Sequence, residues 1–338
     1  MQETITPMGM GVMQISFSSF PDEERVNIII SSIRVLLTHA KSGQKTIINT
    51  ALIYGMSKGA SEELLASVLL KLTPEEQQKL IVATWVGLDG IAIETEAVDH
   101  QLTGPESMYT KDGAYQQFIS GSFKNLKMEL LPKVEFWVGL HRVNPRVSTS
   151  SQAEQLKMIA NNPHVSKVGL SEVSLKTLQE FEQIVPIAFL ETEMSLSRQF
   201  ALRSNILDYC KKHNIILLAY SPLDRSIWTS RVDKIEDWLA LGQQHPFLNQ
   251  LEGWVNEDIV RANYQQREKV VAIANKLNIS LNELALAWIM AKGAIPIPDS
   301  TSPERSASNF NAIKLQDKLT KDDIAILDGI NFLGKRYK

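Results

Sequence analysis

The chain has one cysteine, Cys210, among 338 residues. No intramolecular disulfide can form and no cysteine cluster can ligate a metal, so no metal is expected and a reducing compartment fits. No run of about twenty apolar residues is present, which excludes an ordinary membrane-spanning helix. The opening Met1-Gln2-Glu3-Thr4 has no basic stretch leading into an apolar one, so no secretory signal is expected. A cytoplasmic location is the expectation, with the nucleus open to the same soluble protein. Neither charge sign dominates: 35 Lys and Arg face 38 Asp and Glu, for a net charge of -3. That balance gives no reason to expect nucleic acid or an acidic membrane surface as partner. A strand–GxGxxG–helix fingerprint is also missing. Gly9-Met10-Gly11 has no third glycine and no immediate helix behind it, which argues against an open dinucleotide-binding sheet.

What is there is an alternation. Short apolar runs rich in β-branched residues predict strands near 9–15, 45–49, 80–84, 134–140, 167–170, 187–190, 215–219 and 294–297. Helical spacing fills the intervals. The first helix opens at Pro21-Asp22-Glu23 and stops before Gly43; the next is capped by Ser61, with Glu62 and Glu63 suiting its positive end. Later helices are expected near 115–130, 152–160, 175–181, 200–213, 265–277, 281–292 and 321–330, and one enters through Ser302-Pro303. Eight strand–helix units predict a parallel (β/α)8 TIM barrel, one domain over residues 1–338. A polar loop with Gly104-Pro105 follows the third strand, and an insertion at about 224–262, carrying Trp228, Trp238 and Trp254, follows the seventh. The tryptophans read as packing, as does Cys210 beside Leu207 on an apolar helix stripe.

In such a barrel the carboxyl ends of the strands converge on one face, where active sites are built. The polar and aromatic residues there are Asn49, Tyr54, Trp85, His141, Ser171, Glu172, Glu191, Tyr220, Ser221 and Ser300. Tyr54 and His141 pair as a proton donor and its orienter. In the eighth loop, Ser302, Pro303 and Arg305 outline an anion site at a helix start. Tyr220 offers a face for stacking on a flat ring.

On these residues the chain resembles the aldo-keto reductases along nearly its whole length. Asn49-Thr50-Ala51-Leu52-Ile53-Tyr54-Gly55, then Ser61-Glu62, is similar to the family's Asp-Thr-Ala…Tyr-Gly…Ser-Glu segment. His141-Arg142-Val143-Asn144-Pro145 is similar to its His-Arg-Val-Asp-Pro. Gly169 to Ser174, Ala219 to Leu223, and Ile295-Pro296 through Ser302-Pro303-Glu304-Arg305 to Asn309 follow in order and spacing. Within the family the chain looks most like fungal pyridoxal reductases, through Gly169 to Ser174, the tryptophan-bearing insertion and the final Gly334-Lys335-Arg336-Tyr337. The resemblance implies NADPH-dependent reduction of a small aldehyde, with pyridoxal the candidate, by a monomer. It implies Tyr54 as acid and His141 as orienter of the carbonyl oxygen. Ser171, Glu191 and Tyr220 would hold the nicotinamide, and Ser221 and Leu223 would contact the pyrophosphate. Ser300, Arg305 and Asn309 would hold the adenosine end, with Arg305 on the 2′-phosphate.

Departures from the family pattern fall at the chemistry. Asn49 stands where the family has its catalytic aspartate, and Trp85 where it has its lysine. Losing both is coherent, because either alone would be a buried unpaired charge. Tyr54 is then expected near the ordinary tyrosine pKa of about 10, with slow turnover, and His141 is the next group able to supply a proton. Asp299 replaces a glycine or basic residue near the 2′-phosphate, which admits NADH beside NADPH. The alternative reading is a nicotinamide-nucleotide-binding protein of the same fold with little or no turnover, acting as a sensor or binding partner.

Overall fold

The computed structural model describes residues 5–88, 115–145, 147–245 and 248–334. The Gly104-Pro105 loop and the last residues, 335–338, lie outside that description. Eight parallel strands run in sequence order: β1 (Met10–Gly11), β2 (Thr46–Ala51), β3 (Leu80–Val86), β4 (Glu135–Leu140), β5 (Lys167–Ser171), β6 (Phe189–Glu193), β7 (Ile216–Tyr220) and β8 (Ile295–Pro296). The ring closes where the Gly9 and Gly11 N–H groups donate to the Pro296 and Pro298 carbonyls at 3.0 and 3.1 Å. A Cβ at Gly9 would lie 2.8 Å from the Ile47 carbonyl oxygen of β2 and 3.0 Å from the Ile297 side chain just past β8, so glycine is what lets β1 fit between its two neighbours.

Side chains alternate across each strand. Ile47, Ala51, Ile81, Ala83, Trp85, Trp137, Phe189, Leu218 and Ile297 fill the barrel interior. The alternate residues, Ile48, Val82, Val138, Leu170 and Leu190 among them, pack outward beneath the helices. The interior phase continues to the carboxyl ends, so Asn49, His141, Ser171, Glu191 and Tyr220 are in register with it. Aromatic rings plug the interior below them: Trp85 lies 5.2 Å from Phe189, and Phe189 5.1 Å from Trp137. Gly139 pairs with Trp85 across β3 and β4. A Cβ there would sit 2.1 Å from the indole, so the space Gly139 leaves is what Trp85 occupies.

Several local expectations change. The first strand is only Met10–Gly11 and passes at once into a helical turn, Met13–Ser16. Val12 and Ile15 are buried three apart, the spacing of a helical face. Ser61 does not cap the helix that follows β2. That helix is Ala60–Leu69 and enters through Gly59 at φ 88°, while the Ser61 hydroxyl is buried against those of Ser16 and Thr50, each at 2.7 Å. Glu62, expected as a dipole partner, is also buried and bonds to Thr84 and Asn125. The helix expected over 200–213 breaks into Phe200–Arg203 and Ile206–His213 at Asn205, which takes φ 61°.

The segment after β7 carries the helix Ile235–Gln244, the short helix Glu252–Val255 and the start of the long helix Glu257–Leu277. Its tryptophans are packing, as expected. Trp228 and Trp238 sit 5.3 and 5.4 Å from Phe332, and Trp238 6.0 Å from Trp254. The buried Arg267 guanidinium donates to the carbonyls of Ile227, Thr229 and Val232 and clamps the segment from beneath.

The Trp85–Gly139 fit has a measurable consequence. Gly139→Ala is expected to lower the unfolding free energy by about 1–3 kcal/mol, the usual cost of overpacking. Combined with Trp85→Leu, most of that cost should vanish in a urea double-mutant cycle. Strictly additive effects would show that the two positions do not share that space.

Candidate active site

Tyr54 stands in the loop just past β2, and His141 just past β4. Their rings meet edge to face with centroids 5.9 Å apart. The His141 backbone N–H donates to the Val86 carbonyl at 2.7 Å, which fixes the residue over the end of β3. Trp85 lies beneath it, 6.5 Å away by ring centroids. Asn49, on β2, donates from Nδ2 to Glu191 Oε2 at 2.6 Å. In an eight-stranded ring β2 and β6 face one another, so this hydrogen bond spans the mouth. Ser171 pairs with Glu191 across β5 and β6, and its hydroxyl accepts a 3.1 Å bond from Arg142.

The charges around Tyr54 are unlike those expected from the sequence. Its phenol is not near the ordinary tyrosine value but well above it. Burial is the main cause, and the Glu191 and Asp299 carboxyls add to it, with Arg142 acting against them. His141 moves the other way, well below the usual histidine value, through burial and the nearby Arg142 charge. It is therefore neutral at neutral pH. Its Nδ1 is buried without a hydrogen-bond partner. Burial pushes the Glu191 carboxyl up to about 8; Arg142, Asn49 and Trp85 pull it down, and Glu172 raises it.

Arg142 is the residue that sequence reasoning undervalued. It appeared only as part of the His-Arg-Val-Asn-Pro motif, yet its charge acts on Tyr54, His141 and Glu191 alike. Its place directly after His141 was the available signal. Asp299 accepts the Gln14 N–H on its carboxylate at the β1–β8 seam, and it is near enough to Tyr54 to act on its phenol. Two residues past Ile297, it follows the interior phase of β8. Burial raises its pKa to about 7. It is thus held at the barrel mouth, bonded to the Gln14 N–H.

The remaining expected residues lie on the seventh and eighth loops. Tyr220 ends β7 and packs against the same interior cluster as Tyr54. Ser221 follows it at φ 47°, and Leu223 is partly buried against the outer core. Asp224, Arg225 and Ser226 continue with φ of 40°, 52° and 81°, a run of left-handed non-glycine residues. Ser300 accepts the Ser302 N–H at 3.1 Å. Ser302 caps the helix Pro303–Asn311 with Pro303 in its first turn, as its sequence suggests. Arg305 is exposed and bonds to Thr301 at 2.7 Å, whereas Asn309 is buried and accepts from Asn282 at 3.0 Å. Within the eighth loop, Ser300, Ser302, Thr301 and Arg305 bond to one another, and Asn309 bonds to Asn282 on a neighbouring helix. A surface groove of about 440 Å³ beside Glu23, Glu24 and Pro303 contains none of the Tyr54 cluster in its walls.

The chain matches the aldo/keto reductase family model over residues 7–331. It belongs to the aldo/keto reductase family. With that it is an oxidoreductase of an NADP-linked family. It is 28% identical to a probable pyridoxal reductase 2 of Schizosaccharomyces pombe, covering 98% of this chain and 95% of that one. An NADP(+) aldo-keto reductase of the same yeast is 24% identical, over 99% of this chain and 92% of the relative. Among solved structures, the glycerol dehydrogenase of Gluconobacter oxydans superposes with a TM-score of 0.70 at 19% identity, covering 96% of this chain and 91% of that one. An aldo-keto reductase of Klebsiella pneumoniae in complex with NADPH gives 0.64 at 17%, covering 96% and 90%. At those identities the structures speak for the shared barrel fold.

Glu191 gives this aldo/keto reductase a pH signature. With a folded pKa of about 8 and an unfolded one near the ordinary value, the native state holds a proton that the unfolded chain has lost. Stability therefore falls as pH rises through that window, by up to about 1.4 kcal/mol per pH unit for one such proton. Asp299, raised to about 7, adds in the same sense. Glu191→Gln should flatten the fall between about pH 5 and 8 in urea titrations. An unchanged slope would mean that Glu191 is ionised in the native state.

Proposed function

We propose that this protein reduces an aldehyde to a primary alcohol with NADPH, Tyr54 giving the proton. The observation that carries the reading is the edge-to-face pair of Tyr54 and His141 at the carboxyl mouth of an aldo/keto reductase barrel. A reduced nicotinamide, when bound, supplies the hydride. Tyr54 then gives its phenolic proton to the oxygen of the reduced carbonyl, closing the balance of one hydride and one proton. The raised pKa keeps the phenol protonated throughout the neutral range. His141, neutral, donates one hydrogen bond to the carbonyl oxygen and holds it toward Tyr54. Trp85 and His141 exclude water from beneath the site.

The residues suit a dinucleotide. Ser171 and Glu191 would hold the nicotinamide and Tyr220 would stack on it. The left-handed run at Ser221 and 224–226 is strained backbone of the kind kept at functional loops. That favours Ser221 and Leu223 as the pyrophosphate contacts. Ser300, the exposed Arg305 and Asn309 would take the adenosine end, Arg305 on the 2′-phosphate. Pyridoxal is the substrate we favour, on the 28% identity to the yeast protein of that name. The reading without turnover draws no support from these relatives.

Tyr54→Phe should lower kcat by about 10²–10⁴-fold, the usual weight of a general acid. The assay is NADPH oxidation against a panel of aldehydes that includes pyridoxal. Wild-type turnover unaffected by the substitution would remove Tyr54 as the acid. The scarce phenolate should make alcohol oxidation far slower than aldehyde reduction at neutral pH.

Arg305→Ala should weaken NADPH binding by about tenfold or more while leaving NADH nearly unchanged, since a charge-assisted contact to one phosphate is lost. Equal losses for both nucleotides would place the 2′-phosphate elsewhere.

A further inference from the structure

Glu191 is 3% exposed, and a neutral amide, not a cation, is what it is bonded to. The groups facing it come from several strand ends. Asn49 donates to it from β2, and Trp85 lies against it from β3. The Arg142 charge lies beyond β4 and the Glu172 charge beyond β5, opposing one another. Tyr54 faces it from the loop after β2. Arg142 also donates to the Ser171 hydroxyl and the His141 carbonyl, so its fork is not given over to Glu191. The Asp299 carboxyl also acts on Tyr54.

A carboxyl in such a setting can be either acid or carboxylate without breaking its tie to Asn49, because the amide donates to Oε2 in both forms. A reduced nicotinamide ring is neutral, and an oxidised one carries a positive charge. We propose that Glu191 is the residue by which this site distinguishes oxidised from reduced nicotinamide, its carboxylate favouring the cationic ring and its acid form the neutral one. The proposal rests on the reading above that places the nicotinamide against the ends of β5 and β6. It also gives the Asn49–Glu191 bond a purpose: the neutral amide fixes the carboxyl in place without locking its charge, as a lysine would.

The direction follows from linkage. An opposite charge at close range moves a buried carboxyl's pKa by about 1–3 units, and the same factor appears in the affinity of the charged ligand. In the free protein the carboxyl sits near 8, so it is mostly protonated at neutral pH. Binding of the oxidised cofactor there should expel that proton, and binding of the reduced one should not.

The test is the ratio of dissociation constants for NADP+ and NADPH, measured by calorimetry from about pH 6 to pH 9 in buffers of different ionisation enthalpy. The 2′-phosphate, carried by both forms, cancels in the ratio. For wild type the ratio should shift at least about tenfold toward NADP+ over that range, with release of about one proton on NADP+ binding near neutrality. Glu191→Gln, which keeps the shape and the Asn49 bond, should show a flat ratio and no release. A flat wild-type ratio, an equal slope in Glu191→Gln, or NADP+ binding to wild type without proton release would each overturn the inference while leaving the reductase reading intact. The proton count on wild type alone serves if Glu191→Gln does not fold. Binding of neither nucleotide to wild type would remove both together.

Discussion

A hydrogen bond from the Asn49 amide to the Glu191 carboxyl, 2.6 Å long, ties β2 to β6 across the barrel mouth. Everything chemical in the site is arranged around that neutral bridge. A carboxylate at position 49 would oppose Glu191 at hydrogen-bond distance. A lysine at position 85 would need a counter-charge that Asn49 cannot give. With Asn49 and Trp85 in place, neither position brings a charge to the mouth. Glu191 can then keep its proton, since burial outweighs the pull of Arg142.

The floor beneath the bridge is aromatic for the same reason. Trp85, Phe189 and Trp137 pack as a stack in the barrel interior, and Gly139 yields the space the indole needs. This is a compensated set. Removing the indole would open a cavity costing about 3–5 kcal/mol, and a residue larger than glycine at 139 would clash with it. The stack also lowers the dielectric around Tyr54, His141 and Glu191, and their shifts all carry burial as the first cause. Arg142 supplies a positive charge to this site from just past β4, the strand next to the one that carries Trp85.

Much of this was legible in the sequence. Strand–helix alternation gave the eight-stranded barrel, and the carboxyl ends of its strands gathered Asn49, His141, Ser171 and Glu191 on one face. The helix opening at Ser302-Pro303 read correctly because capping is a local matter. What could not be read was long-range pairing of polar atoms. Asn49 and Glu191 are 142 residues apart, and nothing near either names the other. Asp299 drew notice only through the family pattern at that position, and its bond to the Gln14 N–H, 285 residues away in sequence, was not legible. Ser61 looked like a cap because its spacing suits one. Gly59 took that place, and the hydroxyl went into a buried network that only the folded chain assembles.

The account stands on Glu191 being a protonated carboxyl at neutral pH. Difference infrared spectroscopy of wild type and Glu191→Gln reads this directly, through the carbonyl stretch of a buried carboxylic acid. The account predicts a band present in wild type at about pH 6, absent from Glu191→Gln, and lost with a midpoint of about 8. A wild type with no such band, or one that loses it in the ordinary carboxylate range of about 4–5, would contradict it.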